Sequence, residues 1–332
     1  MQPYQRLFLY GFAIFSMFFG SGNLVFPLQI GLTAGEHWLL GFAGLFLTGI
    51  LLPFLGLFVI KLHRGNYELF FAEAGPVARL ILPLFTLSLL GAFGVVPRCI
   101  TVAHGGIGSV LPQIPLALFS LLFCIACFII CLKDHLIISV LGKWMTPLLL
   151  ASLIVLISMG ILETPAFIEP SNPNIQASAV FLDGFFRGYQ TMDLFAAFFF
   201  SSLIFKQIQE AMPCHTDHKT VIKAALKPSI VGAGLLAVVY LGFVFLGARY
   251  QPLIATVAPE LILGTIASYL MGESASLVIG FIVIFSCLTT AVALNNIYAR
   301  YLCSLFKLQE NKFVWVLLAT TITSFMLSLL DF

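Results

Sequence analysis

Charged side chains are scarce in this chain of 332 residues: Lys, Arg, Asp and Glu make up 9% of it, against 60% hydrophobic residues. A soluble globular chain carries about 25% charged residues. There are too few here to cover a water-facing surface, so the solvent is lipid. Alternating segments of about ten residues, the mark of a membrane barrel, are missing. Long apolar runs take their place, and about 20 helical residues cross the hydrocarbon core. Clusters of basic residues suited to nucleic acid are also missing, and the net charge is only +2. No H-E-x-x-H or G-x-S-x-G motif occurs, and no aspartates are paired in facing spans, which leaves no basis for an intramembrane enzyme. The seven cysteines lie mostly inside apolar segments. Cys124, Cys127 and Cys131 share one helical face with only His135 as a neighbouring ligand, which argues for packing rather than a metal centre. No cleavable signal peptide is evident, because the first apolar stretch is too long for one.

The composition therefore predicts an all-α polytopic membrane protein. Hydropathy places nine spans, at about 7–32, 38–62, 80–103, 114–132, 136–161, 180–206, 228–248, 275–299 and 313–331. The loop 163–178 is rich in Pro, Asn and acids and belongs outside the bilayer. Within 249–274, APELILGTIASYL reads as a short amphipathic helix along the membrane surface. With the amino terminus inside, Arg6, Lys61, Arg64, Arg79, Lys133, Lys143, Lys206, Lys219, Lys223, Lys227, Arg300, Lys307 and Lys312 fall on cytoplasmic segments, and Arg249 alone on an external loop. Positive residues mark the cytoplasmic side, so the amino terminus is predicted to be cytoplasmic.

Two spans break the helical pattern. FFGSGNLVFP puts Gly20, Ser21, Gly22 and Asn23, with Pro27 after them, in the middle of span 1. These residues weaken a helix, and irregular backbone at that depth is tolerated only against protein or a wet cavity. A break leaves charged helix ends at the membrane centre: the amino end attracts an anion, the carbonyl end a cation. Close packing of small residues is the bland alternative. In span 6, FFRGYQTMDLFAAFFF interrupts the helix at Gly188, Tyr189, Gln190, Thr191 and Asp193, and an acid at that depth points to function, with simple capping as its alternative. Paired breaks in spans 1 and 6 are the sequence signature of a secondary transporter's binding site. Span 8 adds the adjacent hydroxyls of Thr289 and Thr290, with Ser286 one turn earlier; two hydroxyls plus free carbonyls are oxygen ligands suited to a small cation, unless the hydroxyls bond only their own helix. Span 3 is expected to kink at Pro97. Arg98 beyond it either snorkels or belongs to an external gate. Lys143 starts span 5, with a kink at Pro147.

FGSGNLVFP, GLTAGEHW, VPRCITV, GFFRGYQTMD and SCLTTAV, in that order, resemble the bacterial branched-chain amino acid:cation symporters of the amino acid–polyamine–organocation superfamily. The resemblance covers essentially the whole chain. It implies a single transporter domain over 1–332 with the leucine-transporter-like fold of two inverted five-helix repeats, here about 7–161 and an incomplete 180–331. It implies import of leucine, isoleucine and valine across the bacterial inner membrane with Na+ or H+ as coupling ion and no other cofactor. Gly20, Ser21, Gly22 and Asn23 would offer N–H groups to the substrate carboxylate. The groups around Gly188, Tyr189, Gln190, Thr191 and Asp193 would face its ammonium and side chain. The carbonyls of Ser16, Phe19 and Ser286, with the hydroxyls of Thr289 and Thr290, would form the sodium site. Relatives of this kind carry twelve spans, whereas the sequence ends at LSLLDF after the ninth. The expectation is a shortened second repeat, with a separate chain supplying the missing helices, or a non-transporting remnant. A related amino acid transporter of other specificity is a further alternative. A channel would spread polar positions over several spans; here they cluster at two breaks.

Overall fold

The computed structural model describes residues 3–108, 113–132, 141–163, 176–213, 217–272 and 275–330, and every regular element among them is helical. Lys133, His135, the first residues of the expected fifth span (136–140), most of the 163–178 loop and the last two residues lie outside the described residues. Among the described residues, five helices are long and apolar enough to cross a membrane, and a sixth crossing forms if one pair bent by 42° counts as a single span.

The chain starts with α1 (Pro3–Phe18) and α2 (Ser21–Ala34), separated at Phe19–Gly20. Gly35, at φ +52°, ends α2, and a 3-10 turn (Gly35–His37) folds the chain back so that Gly41 of α3 (Trp38–Phe46) meets Ile30 of α2. A π-helical stretch (Leu47–Leu51) joins α3 to α4 (Leu52–Leu62). After the short α5 (Tyr67–Ala72) come α6 (Pro76–Leu90) and α7 (Val95–Ile107), then α8 (Leu116–Cys131) and α9 (Thr146–Leu162). The bent pair is α10 (Ala177–Gln190) and α11 (Asp193–Glu210). The long α12 (His218–Arg249), α13 (Ile262–Met271), the long α14 (Ala275–Leu305) and α15 (Phe313–Ser328) complete the order.

Span 3 bends elsewhere than its sequence suggests. The irregularity lies at Gly91–Gly94, where Val96 N–H reaches back five residues to Gly91 O at 3.3 Å. Pro97 sits in the first turn of α7, where its missing N–H removes no helical bond. Pro147 follows a π-helical stretch (Leu141–Met145) that runs directly into α9, so the helix is irregular just where the proline's N–H is missing. The segment around 259–271 does not simply lie on lipid: Ile262, Leu263, Ile266, Ala267 and Leu270 of α13 are buried against protein.

Helix packing rests on small residues, because lipid gives apolar helices no hydrophobic reason to associate and close van der Waals contact must do so. Gly44 of α3 and Gly184 of α10 let the two backbones touch. Gly31 of α2 and Gly247 of α12 do the same on the other side. These contacts fix both half-helix pairs relative to the rest of the bundle. The cysteines of α8 face the bundle: Cys131 Sγ donates to Val292 O at 3.3 Å and Cys124 Sγ to Thr321 O at 3.9 Å. Among the described residues, no group of three or more His, Cys, Asp or Glu is placed to hold a metal ion.

Candidate functional site

Both breaks lie in the bundle interior and meet there. At the first, α1 ends on Phe18 and α2 starts on Ser21 with Gly20 at its N-cap. The N–H groups of Ser21, Gly22 and Asn23 are thus the unsatisfied first-turn donors of α2, a ready anion site. At the second, α10 stays helical to Gln190, and Met192 takes the left-handed conformation at φ +63° before α11 starts on Asp193. Thr191 Oγ1 donates to Gly188 O at 2.8 Å. The interruption is therefore shorter and later than its sequence suggests. Gly188 belongs to the packing, since a Cβ there would fall 2.3 Å from Thr48 Oγ1. Tyr189 and Gln190 are exposed and outside the central cavity.

Asn23 and Asp193 join the two breaks. Asn23 Nδ2 donates to Asp193 Oδ2 at 2.8 Å and also bonds the Tyr240 hydroxyl, which itself donates to the same carboxylate oxygen at 3.3 Å. All three side chains are buried, so this network runs from α2 through α12 to α11 with no water-facing member. A carboxylate taken from water needs such donors to offset its desolvation.

The five residues expected at the cation site come together. Ser286 Oγ donates to Phe19 O at 2.6 Å and Thr289 Oγ1 to Ser16 O at 2.8 Å. Thr290 Oγ1 reaches Met17 O at 3.0 Å and Ser16 O at 3.3 Å. These carbonyls are available because α1 stops here: the Gly20 N–H that would continue the helix to Ser16 O turns to Phe18 O instead, at 2.8 Å. Carbonyl and hydroxyl oxygens at the negative end of a helix fit a small hard cation, so the residues present suit the ion the resemblance implies. Gly20 fits against this cluster so tightly that a Cβ would lie 2.8 Å from Thr290 Oγ1. Gly20→Ala is expected to displace Thr290 and lower the thermal midpoint by several degrees, which unfolding in detergent checks.

Arg98 stands beside the first break. Its Nε donates to Ser21 Oγ at 3.2 Å, and its guanidinium lies 6.0 Å from the centre of the Phe26 ring. Arg98, Val95 and Met192 line two cavities at once. One is the central space between Gly20–Asn23, Thr191–Asp193 and Thr290, with about 10 Å³ available. One water needs roughly 10–15 Å³, so this conformation is closed. The other is a vestibule of about 630 Å³ that also contains His104 and Glu260. Arg98 therefore occupies the wall between vestibule and site rather than a lipid interface.

A family profile described as branched-chain amino acid transport protein matches residues 4–331. The chain belongs to this family. The branched-chain amino acid permease BrnQ of Corynebacterium glutamicum is 31% identical over 88% of this chain and 67% of its own length. The permeases BraB and BrnQ of Bacillus subtilis are each 27% identical, over 99% and 90% of this chain and 74% and 69% of their own. The chain is a transport-family member and not an enzyme, and its apolar helices fit a multi-pass membrane protein.

Sequence reading missed two features of this family member's site. Tyr240 is one: a single tyrosine in an apolar helix carries no local sign that its hydroxyl will meet residues 217 and 47 positions away. The other is the Gly91–Gly94 irregularity, which brings Leu90 and Val95 to the cavity wall. The pair of glycines three residues apart was its only trace. Tyr240→Phe removes one donor to Asp193 and one acceptor for Asn23. A buried group left unpaired costs about 1–3 kcal/mol, so a fall in substrate affinity of about tenfold with the fold intact is expected from binding isotherms.

Proposed function

We propose that the chain imports branched-chain amino acids by alternating access, coupled to a cation. In this reading the spans number nine, α1–α2 and α10–α11 are the broken spans 1 and 6 of two inverted repeats, and the amino terminus is cytoplasmic in a bacterial inner membrane. The observation that carries it is the meeting of two helix breaks over a cage of carbonyl and hydroxyl oxygens. The substrate carboxylate lies on the Ser21–Asn23 N–H groups with Arg98 beside it. The ammonium group faces Asp193 and the carbonyl end of α10. Met17, Phe18, Leu90, Phe200 and Leu294 line the same cavity and suit a branched aliphatic side chain. One methylene discriminates by only about 1–3 kcal/mol, so leucine, isoleucine and valine overlap as substrates.

Sodium, as co-substrate, binds the end of α1 against Ser286, Thr289 and Thr290 and steadies the break on whose other side the amino acid binds. Each ligand then favours the other, and the coupling is reciprocal. Opening requires Arg98, Val95 and Met192 to separate, and closing at this wall precedes release on the opposite side.

A proton as coupling ion is the second reading, favoured by one observation: the Asp193 carboxylate is buried among the neutral partners Asn23 and Tyr240. Leucine uptake into proteoliposomes under separate sodium and pH gradients distinguishes the two. Sodium coupling predicts uptake driven by the sodium gradient alone and reduced by Thr289→Ala. Uptake driven only by the pH gradient assigns the coupling to a proton, and uptake indifferent to both refutes coupled transport.

A further inference from the structure

A second large recess, of about 710 Å³, opens between the start of α1, the end of α11 and the first turns of α12. It takes no part in the site described above. Three cations line it: Arg6, Lys223 and Lys227. Lys223 and Lys227 are one helical turn apart and share a face of α12. Arg6 Nη1 donates to Ala211 O at 3.2 Å, which anchors the side chain at the rim and leaves its other N–H groups for a ligand. Neither nearby carboxylate lines the recess. Glu210 lies 3.9 Å from Lys206 on its own helix, and Asp217 sits at the N-cap of α12.

The rest of the lining is apolar, with Leu7, Ile208 and Met212. Ile230, one turn beyond Lys227 on the same face of α12, is 55% exposed, an apolar position beside the basic ones. A soluble anion would use the cations only, whereas a phosphate carrying acyl chains uses both. Basic pockets between membrane helices are suited to such headgroups.

We propose that this recess binds the headgroup of an anionic phospholipid. The phosphate bridges Arg6 on the first half of the broken span to Lys223 and Lys227 on α12, so the lipid tethers the half-helix whose other end carries the Ser16 and Phe19 carbonyls.

The test uses the purified full chain in phosphatidylcholine nanodiscs doped with a minor fraction of phosphatidylglycerol, with retained lipid counted by native mass spectrometry. Wild type is expected to enrich phosphatidylglycerol. The Lys223→Gln/Lys227→Gln variant should lose affinity for it by roughly ten- to thirtyfold, the value of two cationic contacts at a membrane surface. The charge-matched Lys307→Gln/Lys312→Gln variant should stay within about twofold, and Lys223→Arg/Lys227→Arg should retain enrichment. Thermal midpoints establish that each variant is folded. Equal losses in both glutamine variants would reduce the effect to general surface charge and overturn the proposal. So would failure of the arginine variant, absence of enrichment in wild type, or displacement of the lipid by millimolar inorganic phosphate. Binding is read without transport, so its failure leaves the carrier reading standing.

Discussion

Asp193→Asn is expected to reduce leucine uptake by about 10- to 100-fold while the protein remains folded. The substitution keeps the size of the side chain but presents an amide to the Asn23 amide and the Tyr240 hydroxyl, which both donate to Asp193 Oδ2. Hydrogen bonds to a charged group contribute about 1.5–3 kcal/mol each, and in the proposed mechanism the same carboxylate faces the substrate's ammonium group. The loss should fall mainly on substrate affinity, because the two breaks would still be held by backbone geometry. Uptake kinetics at saturating and limiting leucine separate the two contributions. Uptake by Asp193→Asn within twofold of wild type would remove Asp193 from the site.

Gly184→Val is expected to leave little folded protein. A Cβ at Gly184 would lie 2.0 Å from the Gly41 carbonyl oxygen, and one at Gly44 2.2 Å from the Phe181 carbonyl oxygen. Overpacking usually costs about 1–3 kcal/mol. Here the obstacle is backbone, which no rotamer change relieves, so the cost lies at or above the top of that range. The natural control is Gly234→Val, where a Cβ meets nothing within 4 Å. Size-exclusion profiles and thermal midpoints in detergent should show Gly184→Val aggregated or strongly destabilised and Gly234→Val close to wild type. A stable Gly184→Val would mean that α3 and α10 do not cross at this distance.

The two breaks were legible because helix-breaking and polar residues stand out in apolar sequence. Gly20–Asn23 mark the first, and Thr191 with Asp193 the second. Ser286, Thr289 and Thr290 were legible for the same reason. What escaped depends on distance along the chain or on register. Gly188 reads as a helix breaker, yet α10 continues through it, because its missing Cβ serves the contact with Thr48. The bend then falls four residues later, at Met192, and leaves Tyr189 and Gln190 on the outside. Tyr240 and the irregularity of span 3 escaped because neither adds charge or polarity to its segment. Arg98 was seen, but only the folded chain sets its guanidinium against Ser21 rather than at an interface.

The most direct test of the central claim is equilibrium binding of radiolabelled leucine to the purified chain across a sodium titration at fixed pH. Two facing helix breaks that hold an amino acid beside a cation predict saturable binding that tightens with sodium, with leucine raising sodium affinity by the same factor. Absence of saturable leucine binding at any sodium concentration or pH would contradict the account.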